Sequence, residues 1–284
     1  MLPLSDWPLA ERQNIIGVFT DIDDTLTTHQ AITPDALQAL ADLKAVGLAV
    51  IPITGRPVGW CAPHALGDAT RGLPKWPVDA IVAENGGVAF VPQFISKNGL
   101  RPLFGKGEEL SKVYFSEVSQ RQNNQQKMWQ VAELILQQVP GSALSNDHAG
   151  RETDIAIDYA EVHLLPPDKV AQVVALFQAH GLQATVSSIH INGWIGRHNK
   201  LEAARWMVRA LFDRDLDTEL GQWVYVGDST NDQVMFQHFT HSVGVANIHS
   251  FDDQIRHWPR YEAPSERGAG FAEVAGAIIE ARTS

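Results

Sequence analysis

The first regular pattern in the chain is an unbroken apolar run over residues 15–19, and a short run without alternation predicts a strand buried on both faces. Thr33-Pro34-Asp35 follows, reading as a cap, a first-turn proline and a favourable negative charge for a helix. Leu37, Leu40 and Leu43 give that helix its apolar face, and Gly47 ends it. A second strand is predicted over 48–54, a helix after Pro57 and a third strand over 80–84. Strand and helix in alternation predict an α/β fold built on a doubly wound parallel sheet.

From about residue 94 the pattern changes. A long polar stretch carries a helix around Met128, Val131, Ala132 and Ile135, and residues 153–159 then alternate apolar and polar, which implies a sheet with one wet face. A helix beginning near Asp168 uses Val170, Val173, Val174 and Phe177, and residues 184–191 read as one more half-buried strand. This α+β insert, residues 94–192, is expected to interrupt a core made of 1–93 and 193–284, so that neither half of the core folds alone. The core resumes with a helix opened by Lys200 and lined by Leu201, Ala204, Val208 and Leu211. A strand over 223–226, a helix near Asp232, a strand over 242–245 and a last helix using Phe271, Val274 and Ile278 complete it.

The chemistry sits where the predicted strands end. Asp21 and Asp23 lie two residues apart at the carboxyl end of the first strand, where open α/β sheets bind ligands, and an extended chain points both the same way. That placement suggests phosphate and metal chemistry. Three further segments occur in an order that resembles the haloacid dehalogenase-like (HAD) phosphohydrolase superfamily. Asp21-Ile22-Asp23-Asp24-Thr25 is similar to its first motif, Thr54 with Gly55-Arg56 to its second, Lys200 to its third, and Gly227-Asp228-Ser229-Thr230-Asn231-Asp232 to its fourth. An insert between the second and third, together with Asn85-Gly86 and the segment from Arg267 to Ala272, resembles the subgroup of Cof-like and sugar-phosphate phosphatases, subfamily IIB.

The resemblance implies a division of labour. Asp21 would attack phosphorus and Asp23 would exchange protons with the leaving oxygen and the attacking water. Thr54 and Lys200 would hold the phosphoryl group, with Gly55, Arg56 and Asn231 beside it. Mg²⁺ is the implied cofactor, held by Asp21, Asp228 and the Asp23 main-chain carbonyl, with Asp232 either a ligand or a carboxylate that orients waters and Lys200. Asp24 is expected to be a turn residue. Arg151, His190 and Asn192 in the insert are the expected leaving-group contacts, together with Glu152, Asp158 and Ser188 as polar residues on or beside its strands.

Composition narrows the partners. With 22 basic and 33 acidic residues the formal charge is −11, no Lys/Arg run stands out, and nucleic acid and anionic membrane are poor partners. The single cysteine, Cys61, excludes an internal disulfide and a Cys-rich zinc site. His29, His198 and His241 are isolated, with no metal-ligand spacing. No apolar run approaches spanning length and no secretory pattern opens the chain, so a cytoplasmic setting is expected. The expected activity is Mg²⁺-dependent hydrolysis of a small phosphorylated metabolite, most simply a sugar phosphate, through an aspartyl phosphate. A sugar phosphomutase and a non-catalytic binding protein on the same fold are the alternatives, and the oligomeric state is left open.

Overall fold

The computed structural model describes residues 1–92 and 110–283. In chain order the first half holds β1 (Leu2–Pro3), α1 (Leu9–Gln13), β2 (Gly17–Thr20), a short ribbon of β3 (Thr27–Thr28) and β4 (Ala31–Ile32), α2 (Pro34–Ala45), β5 (Ala49–Pro52), α3 (Val58–Leu66), β6 (Ile81–Ala83) and β7 (Val88–Pro92). Then come β8 (Leu110–Tyr114), α4 (Val118–Gln138), β9 (Ala143–Leu144), β10 (Asp154–Asp158), α5 (Pro167–Ala179), β11 (Gln183–Val186) and β12 (His190–Trp194). The chain closes with α6 (Lys200–Phe212), β13 (Trp223–Gly227), α7 (Gln233–His238), β14 (His241–Gly244), β15 (Tyr261–Glu262) and α8 (Arg267–Thr283).

The main sheet runs β1-β15-β14-β13-β2-β5, with every neighbouring pair parallel. Period-two alternation feeds two cores. Val18, Val224 and Val226 face α2 and α8 through Leu40, Leu43, Phe271 and Val274, whereas Phe19, Trp223 and Tyr225 face α6 and α7 through Leu201, Met207, Val208 and Phe236. Both faces are therefore dry, which is why the strands read as continuous apolar runs. Gly47 does end α2: at φ +81° it lets the Gly47 and Leu48 amides return to the carbonyls of Lys44 and Leu43. Thr33 departs from expectation. It occupies the cap position of α2 but makes no capping bond, because its hydroxyl lies against Gly268 of α8; the Asp35 carboxylate takes the Ala36 amide instead.

The second sheet, β11-β12-β10-β9, is antiparallel and carries α4 and α5 on one side, around Met128, Val131, Ile135, Ile155, Ile157, Val173 and Phe177. Two expectations are corrected here. The single strand expected over 184–191 is a hairpin, β11 and β12, turning at Ser187-Ser188-Ile189. The Ser187 hydroxyl accepts the His190 amide, and that turn chemistry interrupts an apparently continuous alternation. The expected wet face of residues 153–159 is dry, since Asp154, Ala156 and Asp158 are all buried; this face lies over the carboxyl edge of the main sheet.

Inside the range of the expected insert, β8 pairs with β7, which pairs with β6, and Val82 of β6 bridges Ile53 beyond β5. Residues 110–114 thus extend the sheet system of the core. The expected start of the insert at 94 lies outside the described residues. Among the described residues no helix is long and apolar enough to cross a membrane.

Candidate active site

Adjacent parallel strands bring the site together. Asp21 follows β2 and Asp228 follows β13, so two carboxylates emerge side by side at the carboxyl edge of the sheet. Thr54 follows β5 on the other side of β2, its amide donating to Val82 O at 2.9 Å. Lys200 opens α6, whose Asn199 cap accepts the Leu201 and Glu202 amides at 2.9 and 3.0 Å. Gly227 is required by close approach, because a Cβ there would lie 2.5 Å from Asp232 Oδ2.

Lys200 Nζ donates to Asp21 Oδ1 and Asp232 Oδ1, each at 2.6 Å, and reaches Asn231 Oδ1 at 3.2 Å. Asp232 is saturated: Oδ1 accepts Lys200 and the Tyr225 hydroxyl, and Oδ2 accepts the Asp228 and Ser229 amides at 2.9 and 3.1 Å. Asp228 is less committed. Its oxygens accept the Thr25 hydroxyl and the Asn247 side-chain amide, each at 3.1 Å. Asn247 also holds Asp24 O, and Arg267 pairs with the Asp24 carboxylate at 2.9 Å, so the late segment that resembled the family braces the first loop.

Oxygens of Asp21, Asp228 and Asp232 lie within 4.8 Å of one another, and all three residues are buried. Three carboxylates face one ammonium, and the surplus of negative charge raises the proton affinity of the cluster. Burial pushes the Asp21 carboxyl up to about 8 against the pull of Lys200, with Asp232 and Asp23 adding to the rise. Burial, Asp21 and Asp232 push Asp228 well above the usual carboxylate range. Burial alone would lower the Lys200 ammonium, but Asp21 and Asp232 outweigh it and raise it. A buried, oxygen-only, over-anionic donor set fits a hard divalent cation, with Asp21 and Asp228 the carboxylates that retain unused lone pairs.

Asp23 points toward the second sheet, where Arg56 Nε donates to its Oδ1 at 2.8 Å. Arg56 is 3% exposed, lies over the Trp60 ring, and sends Nη1 to Glu161 at 3.0 Å, while its Nη2 has no hydrogen-bond partner among the described residues. The Thr54 hydroxyl accepts the Arg56 amide at 3.0 Å. The three insert residues expected to meet a leaving group have protein partners. Arg151 donates to Asp154 at 2.8 and 3.0 Å, to Asp147, and to the Gly55 carbonyl at 3.0 Å. Asn192 donates to the same carbonyl at 3.3 Å and to Asp154, and His190 Nε2 meets Glu161 Oε2 at 2.9 Å. Of the other polar insert residues, Glu152 meets Lys112 and Tyr114, and Asp158 accepts the amides of residues 161–163.

Sequence reasoning missed several partners. Glu84, fully buried at the end of β6, accepts the amides of Val58, Glu152, Thr153 and Asp154 and the Thr153 hydroxyl, joining the two sheet systems. Burial and the neighbouring Asp154 push its carboxyl up to about 7 despite those donors. A charge closing an apolar strand was its visible signal. Tyr225 reads as a core aromatic, and Glu161 and Asn247 lie in segments without periodicity, so nothing in the pattern marked them. Cys61 is buried and its thiol is pushed up by burial; His198 is buried, His241 is buried with Nδ1 3.4 Å from the Glu11 carboxylate, and His29 is exposed.

No protein-family model and no curated protein sequence matches the chain. Solved structures do. A HAD/Cof-like hydrolase from Plasmodium vivax superposes with a TM-score of 0.64 at 14% identity, covering 96% of this chain and 99% of that one. The sucrose-phosphatase of Synechocystis, solved with sucrose and phosphate, gives 0.62 at 16% identity over 93% and 97% of the two chains. A HAD subclass IIB sugar phosphatase gives 0.52 at 16% identity over 87% and 92%. At such identities the likeness establishes the fold: a HAD-type parallel core with an additional antiparallel cap.

Proposed function

We propose that this chain, which has the fold of the capped HAD-like hydrolases, is a Mg²⁺-dependent phosphatase of a small phosphorylated metabolite whose leaving group is a sugar or another polyol. The observation that carries the reading is the buried Asp21–Lys200–Asp232 bridge with Asp228 beside it, at the carboxyl edge of the sheet. Asp21 Oδ2 is the nucleophile: its bond to phosphorus forms as the bond to the leaving oxygen breaks, giving an aspartyl phosphate. Asp23 gives that oxygen its proton, then takes one from the water whose attack releases phosphate and restores Asp21. Lys200 stabilises phosphoryl charge, and Thr54 offers its hydroxyl to the same group. Asp232 holds Lys200 and the 227–229 turn, its lone pairs being filled by protein donors. Mg²⁺, held by Asp21, Asp228 and the Asp23 carbonyl, would supply countercharge to the anionic nucleophile and phosphate.

The part of the insert beyond β8, residues 118–192, forms the cap in this reading and sets leaving-group selectivity, with Nη2 of Arg56, unpaired among the described residues, available to a hydroxyl or ring oxygen. Arg151 and Asn192 serve chiefly as a clasp on Gly55 and His190 Nε2 is committed to Glu161, which makes Arg56 the better candidate for substrate contact. The test is a panel of sugar phosphates, other phosphorylated metabolites and an aryl phosphate, assayed for phosphate release in chelator and in Mg²⁺. Release that requires Mg²⁺ and favours polyol phosphates is expected; no release from any member sinks the reading, and conversion of a sugar 1-phosphate to the 6-phosphate replaces it with a mutase.

A further inference from the structure

We propose that Glu161 is a positioning residue for the acid/base carboxylate Asp23, acting through Arg56, an inference that rests on the phosphatase reading above. Glu161 follows β10 on a loop that one buried carboxylate folds: Asp158 accepts the amides of Glu161, Val162 and His163 at 2.9, 3.0 and 3.0 Å. The fold of this loop turns the Glu161 side chain inward, where it is 6% exposed. His190 stands opposite Asp158 in the β10–β12 register and fixes Glu161 Oε2 at 2.9 Å, leaving Oε1 to accept Arg56 Nη1 at 3.0 Å. Asp147 adds a weaker contact to the same Nη1 at 3.5 Å.

A guanidinium is planar and rigid, so fixing Nη1 also fixes where Nε points. Here Nε points at Asp23 Oδ1, 2.8 Å away. Trp60 covers one face of the guanidinium, and the hydrogen bond from the Arg56 backbone amide to the Thr54 hydroxyl fixes the start of the side chain. Asp23 is thus gripped by one oxygen, and its Oδ2 has no hydrogen bond among the described residues and is left for the leaving oxygen. The chain Asp158–Glu161–Arg56–Asp23 begins on the second sheet and ends at the first motif. It orients Asp23 only when that sheet lies over the core, which ties proton transfer to closure.

The role predicts dependence on the leaving group. An alkyl phosphate must have its departing oxygen protonated, whereas a nitrophenyl oxyanion departs without a proton, so disturbing Asp23 slows formation of the aspartyl phosphate from the first and spares it from the second; the difference is read in kcat/KM, because the water step that follows uses Asp23 for both esters. We would measure kcat and KM for the best sugar phosphate and for p-nitrophenyl phosphate, in saturating Mg²⁺, with wild type, Glu161→Ala, Glu161→Gln and Arg56→Lys, each checked by thermal melting. Glu161→Ala should lower kcat/KM for the sugar phosphate about 10²-fold, the low end for a general acid, and that for the aryl ester only a fewfold. Glu161→Gln keeps an acceptor for Nη1 and should recover most of the loss, and Arg56→Lys, lacking the rigid fork, should show the same split between substrates. Equal losses of kcat/KM on both substrates, or a Gln variant no better than Ala, would overturn the positioning role while leaving the phosphatase reading intact. Wild-type protein that releases phosphate from neither ester would overturn both.

Discussion

Two of the buried cations, Arg151 and Lys200, are in opposite condition. Arg151 is matched: Asp154, Asp147 and the Gly55 carbonyl take its donors, and Asn192 completes the coordination of Asp154 and Gly55. Lys200 is outnumbered, one ammonium among Asp21, Asp228 and Asp232. A matched buried network specifies geometry and resists change, whereas an over-anionic one is held ready for a cation and an electrophile. Chemistry is expected where the polar accounting is incomplete, and closure where it is complete.

The sharpest way to break that comparison is to remove charge from the Lys200 cluster. Asp21→Asn should lower kcat by roughly 10⁴-fold or more, as losing a covalent nucleophile does. It should leave the metal-free melting temperature unchanged or raised, since the variant deletes a carboxyl whose ionisation burial opposes. Loss of activity accompanied by unfolding would mean that Asp21 is structural. Asp228→Ala should raise the Mg²⁺ concentration needed for half-maximal rate, and wild-type activity in excess chelator would remove the metal from the account.

Removing the cation from the matched cluster should do the reverse. Arg151→Met strands Asp154 and Asp147 in a dry interface, and breaking a buried pair in this way costs about 3–5 kcal/mol. Urea unfolding should show the loss, and amide exchange in β10 should speed up. Adding Asp154→Asn should recover more than half of it. Turnover of an aryl phosphate by the folded fraction should fall less than about tenfold, because Arg151 reaches the reacting groups through intermediaries, Gly55 and, by way of Asp147, Arg56. A kinetic loss as large as that of Asp21→Asn would erase the distinction between the clusters.

The sequence showed these two clusters unequally, for a physical reason. The Lys200 cluster was legible because its members end strands or open a helix, and strand ends are set by apolar runs that period alone reveals: Asp21 after Phe19, Thr54 after Ile51, Asp228 after Val226. The Arg151 cluster depends on how one sheet docks on another, which no local period encodes. Residues 153–159 alternate as a surface strand does, yet the polar half of the alternation meets the core and not water. Glu84 and Glu161 were hidden for the same reason, since each is defined by partners more than 60 residues away or on the opposite sheet system. Thr33 and the 187–189 turn failed differently: a local signal lost to a close helix contact in one case, and a serine turn was read as strand in the other.

The smallest expected effect lies between the clusters, at His198. The chain passes from β8 to α4 through residues 115–117 and from β12 to α6 through 195–199, and His198 packs where these links meet, its ring 5.8 Å from Phe115 and 5.7 Å from Trp194. It is 3% exposed, and neither ring nitrogen has a hydrogen-bond partner among the described residues. A small cavity shared with Thr153, Arg121 and Asn124 adjoins it. Burial holds its protonation down at about 4, below the ordinary value of 6.5. The unfolded chain therefore binds a proton between pH 6.5 and 4 that the folded chain refuses, so the stability associated with neutral His198 is present above pH 6.5 and is lost as pH falls to about 4. At most this group accounts for a loss of about 3 kcal/mol, because each tenfold difference in proton affinity between the two states is worth about 1.4 kcal/mol. His64 and His241, also lowered by burial, steepen the same acid limb. His198→Leu should flatten the fall in urea-unfolding free energy between pH 7 and 5 while leaving aryl phosphate turnover at pH 7.5 within a fewfold of wild type. An unchanged slope would mean that the links tolerate a charged imidazole, and that the junction between the two clusters is open enough for water to reach it.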